Sequence, residues 1–97
     1  MAPNVRWRAA SDLIWTHYED ADDWAVYSPS SGDIHLLTPS ARRLVLLAAA
    51  EPALTIAGLA ARLAAELERP LDDELLGIIR DALTSLDQAG VMRQSGP

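Results

Sequence analysis

All five aromatic residues of this chain lie within its first third, and this uneven distribution is the feature that most constrains the fold. They are Trp7, Trp15, Tyr18, Trp24 and Tyr27, whereas leucine and alanine dominate the remainder. Aromatic and β-branched residues favour strands, and unbranched aliphatic residues favour helices. The sequence therefore predicts an α+β fold in which the strands come first and the helices follow.

Three short segments with strand-forming composition follow one another in the first part of the chain. The segments run from Leu13 to Tyr18, from Trp24 to Ser28 and from Asp33 to Leu37. The acidic stretch 19–23 and the turn-forming stretch 29–32 separate them, and such short links favour antiparallel neighbours. We therefore expect a three-stranded antiparallel β-meander, with Trp7 at the start of the ordered part and a candidate for a short extra strand.

Three helices are predicted after the meander from capping residues and from the helical spacing of apolar side chains. Thr38 and Thr55 are candidate N-caps, and Pro52 is expected to end the first helix. The third helix is expected to begin near Leu71 and to end at Gly90, which suits the position after a helix C-terminus. Three strands followed by three helices complete the predicted α+β order.

The composition argues against several classes of function. The chain has 14 acidic and 8 basic residues and a net charge of −6, so it lacks the basic surplus that binds nucleic acids and anionic membranes. No apolar run approaches the roughly 20 residues that span a bilayer, and cysteine is absent. We expect one cytoplasmic domain over residues 1–97, with an ordered core over about 7–93 and loose ends at 1 to about 6 and at 94–97.

Groups that could form a catalytic or metal site are scarce. His17 and His35 fall on the first and third predicted strands, so the middle strand of a meander separates them. The chain has no glycine-rich phosphate loop, nucleophile elbow or spaced metal-ligand motif. The sequence therefore predicts a non-catalytic protein that uses neither a cofactor nor a metal.

The third predicted strand carries the first indication of a binding surface. A meander leaves one edge of this strand unpaired. No proline or lysine, the residues that often prevent pairing at such an edge, occurs among Ile34, His35, Leu36 and Leu37. Such an edge can take an added peptide strand, which gains main-chain hydrogen bonds from it. The alternative is that a neighbouring loop or the segment around Trp7 covers the edge.

The last predicted helix carries the second indication. Its apolar positions span an arc of roughly 160°, whereas a surface helix needs only somewhat more than 100° to cover a core. Two interpretations stay open: a small core encloses the helix, or the Leu76/Leu83 flank faces a groove that a partner fills. The helix positions expected to contact a peptide are Leu76, Ile79, Arg80 and Leu83.

Two strings of residues resemble the PqqD-like family. The run from Tyr27 to Pro39 is similar to the turn and third strand of that family, and the string L-x-x-L-x-x-A-G-V-M at 83–92 is similar to its last helix end. The Trp-rich start and the string S-G-D-x-H-L-L look most like the PqqD-family peptide chaperones associated with a kinase related to the HPr kinase. The similarity covers about residues 7–93.

The resemblance implies a winged-helix-like element that recognises the leader part of a ribosomally made precursor peptide. In that family the peptide lies as an added strand along the third strand and against the last helix, for use by a modifying enzyme. Carried onto this chain, the strand positions are Ile34, His35, Leu36 and Leu37. The helix positions follow from the helical-wheel argument and not from a matching motif.

Two other functions stay open. A winged-helix DNA-binding regulator would use the last two helices, but its recognition helix would carry five carboxylates against Arg80 alone, which repels phosphates. A self-associating structural protein would pair the open strand edge with that of a second copy. A homodimer of this kind is compatible with peptide binding.

Overall fold

The computed structural model describes residues 5–17, 22–29, 32–51 and 54–95. The predicted boundaries at Tyr18 and Pro52 lie outside these residues. The elements are β1 (Arg6–Ala9), β2 (Ile14–His17), β3 (Trp24–Ser28), β4 (Asp33–Leu37), α1 (Pro39–Ala50), β5 (Leu54–Thr55), α2 (Ile56–Glu66), α3 (Asp73–Gln88) and β6 (Met92–Ser95). The predicted α+β fold, with a strand meander followed by three helices, is confirmed.

The strands β2, β3 and β4 form the predicted antiparallel meander, in that order. The predicted second and third strands have the same bounds as β3 and β4, and β2 is described as far as His17. Between β3 and β4, Gly32 has a φ of 76° and donates its N–H to the carbonyl of Ser28 at 2.8 Å. Glycine adopts this left-handed conformation without the strain that a Cβ would cause.

A second sheet, which the sequence did not predict, has the order β5-β1-β6. The central strand β1 places Arg6 opposite Thr55 on one side and Ser95 on the other. The extra strand expected around Trp7 is confirmed. The expectation of a loose end over 94–97 is wrong for Gln94 and Ser95, because both pair with β1.

Side-chain caps begin the first two helices as predicted. The Thr38 hydroxyl accepts the N–H of Ala41 at 3.2 Å, and the Thr55 hydroxyl accepts the N–H of Gly58 at 3.3 Å. Each cap satisfies one of the N–H groups that a helix start leaves without an intrahelical acceptor. These caps mark the boundary between β4 and α1 and the boundary between β5 and α2.

The cap of α3 carries a measurable share of the stability. Asp72 accepts the N–H of Leu75 at 2.8 Å, at the positive end of the helix. We expect Asp72→Ala to lower the free energy of unfolding by about 1 kcal/mol, measured by urea denaturation. Asp72→Asn keeps the oxygen acceptor and should lose less, so an equal loss in both variants would contradict a capping role.

One hydrophobic core joins both sheets and all three helices. Trp7 of β1, Val26 of β3, Leu83 of α3 and Met92 of β6 are all fully buried in it. The two sheets are therefore parts of a single packed unit. No helix within the described ranges is long and apolar enough to cross a bilayer.

Candidate functional site

The strand β4 lies at the edge of its sheet and pairs with β3. The segment around Trp7 does not cover this edge, because β1 belongs to the other sheet. Within the part of the chain that the structure describes, no second strand pairs with residues Ile34 to Leu37. Among the described residues, β3 is therefore the one strand neighbour of β4.

The outer face of the same sheet is apolar. Ile34 and Leu36 are 69% and 71% exposed on β4, and Ile34 lies opposite Tyr27, which in turn lies opposite Ile14. Opposite and alternate residues share a face, so these four side chains form one surface, which we call the apolar sheet face. Exposed groups of large apolar side chains mark interaction sites more often than single ones do.

The inner face of the sheet is aromatic and packs against α1. Leu37 points inward into the core, and His35 is half-buried beside it. The guanidinium carbon of Arg42 on α1 lies 3.8 Å from the ring centroid of Trp24, and His17 stacks on that ring with centroids 4.3 Å apart. The cation–π contact joins the meander to α1, and the stacking contact joins β2 to β3 within the meander.

A groove of about 220 Å³ begins where β4 ends. Thr38, the residue that follows β4, contributes to its wall, and the other walls come from α1, the end of α2, the segment that follows α2, and α3. On α3, Ile78 is 54% exposed and Ile79 is buried beneath it in the groove lining. An apolar side chain at the end of a peptide on β4 would be close to this groove.

The four helix positions that the sequence predicted as peptide contacts differ in burial and in whether they line the groove. Of these, Ile79 lines the groove, whereas Leu83 is fully buried and Leu76 is half-buried against the core. Arg80 is exposed but is not part of the groove lining. Leu83 is therefore covered by the protein itself and cannot face a partner in this structure, and the exposed apolar residues of the groove lining are Leu67 and Ile78.

The reason for this difference is the unpredicted strand β6. The helix α3 packs against β6 as well as against α2. Met92 of β6 belongs to the same buried cluster as Leu83. The apolar side chain of Leu83 is therefore buried within the protein and is not left for a partner. Helical spacing placed Ile78 within the apolar arc of α3. It could not show which residues of that arc are buried by neighbouring elements and which are exposed.

An ion pair ties two walls of the groove together. Arg43 on α1 donates from Nε to Oε2 of Glu66 on α2 at 2.9 Å. The hydrogen bond from Arg43, with its positive charge, lowers the pKa of the Glu66 carboxyl. Both side chains are substantially exposed, so solvent screening limits the pair to about 1 kcal/mol or less.

Titratable groups near the site do not converge. His17 and His35 lie on β2 and β4, on either side of β3. Among the described residues, no group of three His, Asp or Glu side chains is arranged to hold a metal ion. The chemistry that the site offers is backbone hydrogen bonding at an edge, with apolar surfaces beside it.

Comparison of the chain with models of protein families, with curated proteins and with solved structures finds no match. The resemblance to the PqqD-like family therefore rests on the run from Tyr27 to Pro39 and on residues 83–92.

Proposed function

We propose that the protein is a non-catalytic, cytoplasmic adaptor that binds a precursor or leader peptide as an additional strand on β4. The observation that carries this proposal is the open edge of β4 beside the exposed side chains of Ile34 and Leu36. An added strand gains main-chain hydrogen bonds from the edge, and its alternate side chains extend the apolar sheet face. The adaptor then presents the bound peptide to a modifying enzyme.

The surroundings of β4 indicate which peptide fits. Residues two apart in the peptide lie beside Ile34 and Leu36, so β-branched or aromatic side chains at alternate positions are favoured. An aliphatic side chain near the Leu37 end can reach the groove beside Ile78. The net charge of −6 favours a neutral or basic peptide over an acidic one, because opposite charge speeds and stabilises encounter.

A displayed library of random 12-residue peptides supplies a probe that does not depend on knowing the natural partner. The strongest binder is synthesised and added at saturation, and backbone amide exchange is followed by NMR. We expect exchange at residues 33–37 to slow by about tenfold or more, because an added strand bonds these groups. Amides of β2, at the other edge of the sheet, serve as the control and should not change.

Two results would contradict the proposal. The first is unchanged exchange at residues 33–37 with the peptide at saturation, which would place binding elsewhere. The second is slower exchange in β2 alone, which would assign the peptide to the opposite edge. A library that yields no binder above background would also count against a peptide-binding role.

Self-association is a second candidate function, and the apolar sheet face is the observation that favours it. A second copy could pair its β4 with this one or pack its outer face on Ile34 and Leu36. Sedimentation over a range of protein concentrations measures the association. A dimer that the selected peptide dissociates would show that both partners use the β4 edge.

A further inference from the structure

The outer face of the second sheet presents two neighbouring arginines. Trp7 of β1 and Met92 of β6 are fully buried in the core, and successive residues of a strand point to opposite faces. Arg8 and Arg93, each the next residue along its strand, therefore lie on the face that is turned away from the core, and both are exposed. They lie directly opposite each other in the β1–β6 pair, so their two positive charges are cross-strand neighbours.

This pair of arginines is a cost to the protein on its own. Like charges at directly opposite positions repel each other and destabilise a sheet. Within the described ranges, neither Arg8 nor Arg93 forms an ion pair or a hydrogen bond, whereas Arg43 pairs with Glu66. A partner that brings negative charge to this face would replace the repulsion by attraction.

The exposure of the two arginines favours a protein partner over a small anion. Ion pairs on an open surface contribute little, because water screens the charges and the side chains lose conformational freedom. A protein surface that covers the arginines excludes part of this water and so strengthens the attraction. Nucleic acid is disfavoured, because the net charge of −6 repels an extended polyanion. The favoured partner is therefore an acidic segment of another protein.

The spacing of the two arginines fits carboxylates on a helix. Directly opposite residues of an antiparallel pair have Cβ atoms about 4.5–5.5 Å apart. Residues four apart on a helix have Cβ atoms at a similar separation of about 5–6 Å. Each guanidinium presents a planar fork of N–H donors that matches one carboxylate. Two acidic side chains one helical turn apart can therefore each meet one arginine.

The helices of a second copy of this chain do not have such a pair of carboxylates. In α1 there is no acidic residue, and in α2 there is only Glu66. In α3 the acidic residues are Asp73, Glu74, Asp81 and Asp87, of which no two are three or four residues apart. The chemistry of the arginine pair therefore favours a different protein as the occupant.

We propose that the outer face of the second sheet docks an acidic helix of a partner protein, in which two carboxylates one turn apart contact Arg8 and Arg93. The docked helix forms two ion pairs in place of one repulsion and shields both guanidinium groups from water. This face shares no residue with β4 or with the apolar sheet face, so docking here is independent of a peptide on β4.

The probe is an alanine-rich helical peptide of about 20 residues with two glutamates four residues apart, whose helicity is verified by circular dichroism. The matched peptide has the same composition with the glutamates two residues apart, so that they point to different sides of the helix. NMR follows the side-chain Nε–H signals of the arginines at low salt. We expect saturable shifts at Arg8 and Arg93, and about fivefold tighter binding of the first peptide, because the second can form only one of the two ion pairs.

Arg8→Gln and Arg93→Gln should each weaken binding of the first peptide by about fivefold. Arg80→Gln is the matched control, because Arg80 is exposed on α3 and lies outside this sheet, and it should change the affinity by less than about twofold. The proposal is overturned if no saturable shift occurs, if both peptides bind equally, or if Arg80→Gln weakens binding as much as Arg8→Gln does. Self-association in sedimentation that Arg8→Gln abolishes would assign the face to a second copy and would also overturn it.

Arg93→Glu tests whether the arginine pair costs stability, because it places opposite charges at the two positions. We expect the urea concentration at the midpoint of unfolding to rise, while binding of the first peptide is lost. A rise in the midpoint also shows that the loss of binding does not come from unfolding. A midpoint that falls or stays the same would show that the pair is not a cost, and would remove the physical reason for a partner at this face.

Discussion

Truncation of Leu83 to alanine is expected to lower the free energy of unfolding by about 2–5 kcal/mol, because it removes buried methyl groups and leaves a cavity. The side chain of Leu83 is fully buried in the core that α3 shares with the two sheets. Domains of this size are stable by only about 5–15 kcal/mol, so the loss is a large fraction of the total. Urea denaturation measures it, provided that the dependence on denaturant stays the same.

The control for this measurement lies on the same helix. Ile78 is 54% exposed, so Ile78→Ala should change the free energy of unfolding by no more than about 0.5 kcal/mol. The contrast tests whether Leu83 belongs to the core or to a binding surface. If both variants unfold at the same urea concentration as the unchanged protein, the burial of Leu83 is refuted and its role as a peptide contact becomes possible again.

Replacement of Leu36 by lysine is expected to weaken binding of the selected peptide by about tenfold or more. The change removes an apolar contact beside the β4 edge and introduces the charged residue that natural proteins use to prevent edge pairing. Because Leu36 is 71% exposed, the fold should be retained, which the amide spectrum of the variant verifies. Fluorescence anisotropy with a labelled peptide gives the dissociation constants.

The matched control is Ile14→Lys, which adds the same charge to the same apolar sheet face at the opposite edge. Ile14 is 54% exposed on β2, so its replacement should also preserve the fold. A peptide on β4 should lose less than about threefold in affinity in this variant, because surface charge at a distance is screened. Equal weakening by both substitutions would mean that the peptide lies across the face and not along the edge.

The elements that local sequence encodes were predicted closely. The strands β3 and β4 are marked by β-branched and aromatic residues and by the turn at Gly32, and their bounds agree. Thr38, Thr55 and Gly90 mark helix ends through their own side chains or backbone freedom, and each has the predicted role. Signals of this kind act within a few residues, so a single sequence is sufficient to read them.

The second sheet was not predicted because its pairing is not local. The strand β5 consists of Leu54 and Thr55 only, and β6 mixes polar and apolar residues without a distinct strand signal. Both are strands because each pairs with one edge of β1. Short strands of this type depend on tertiary context more than on their own composition.

The candidate sites follow the same division. The edge position of β4 could be inferred from the order of three adjacent strands. The sequence analysis grouped Ile34 to Leu37 together, and only the structure shows that Ile34 and Leu36 are exposed while Leu37 is buried. The burial of Leu83 could not be inferred, because the width of an apolar arc does not show which of its residues pack in the core.

The position of β1 has a consequence for synthesis on the ribosome. Its partner β6 is translated last among the described elements, so a nascent chain carries β1 with one side unpaired until residues 92–95 have emerged. Until then Met92 cannot join the core that contains Trp7, and cotranslational folding stops short of the native state. Chains stalled before residue 92 should therefore remain sensitive to protease and be recognised by chaperones.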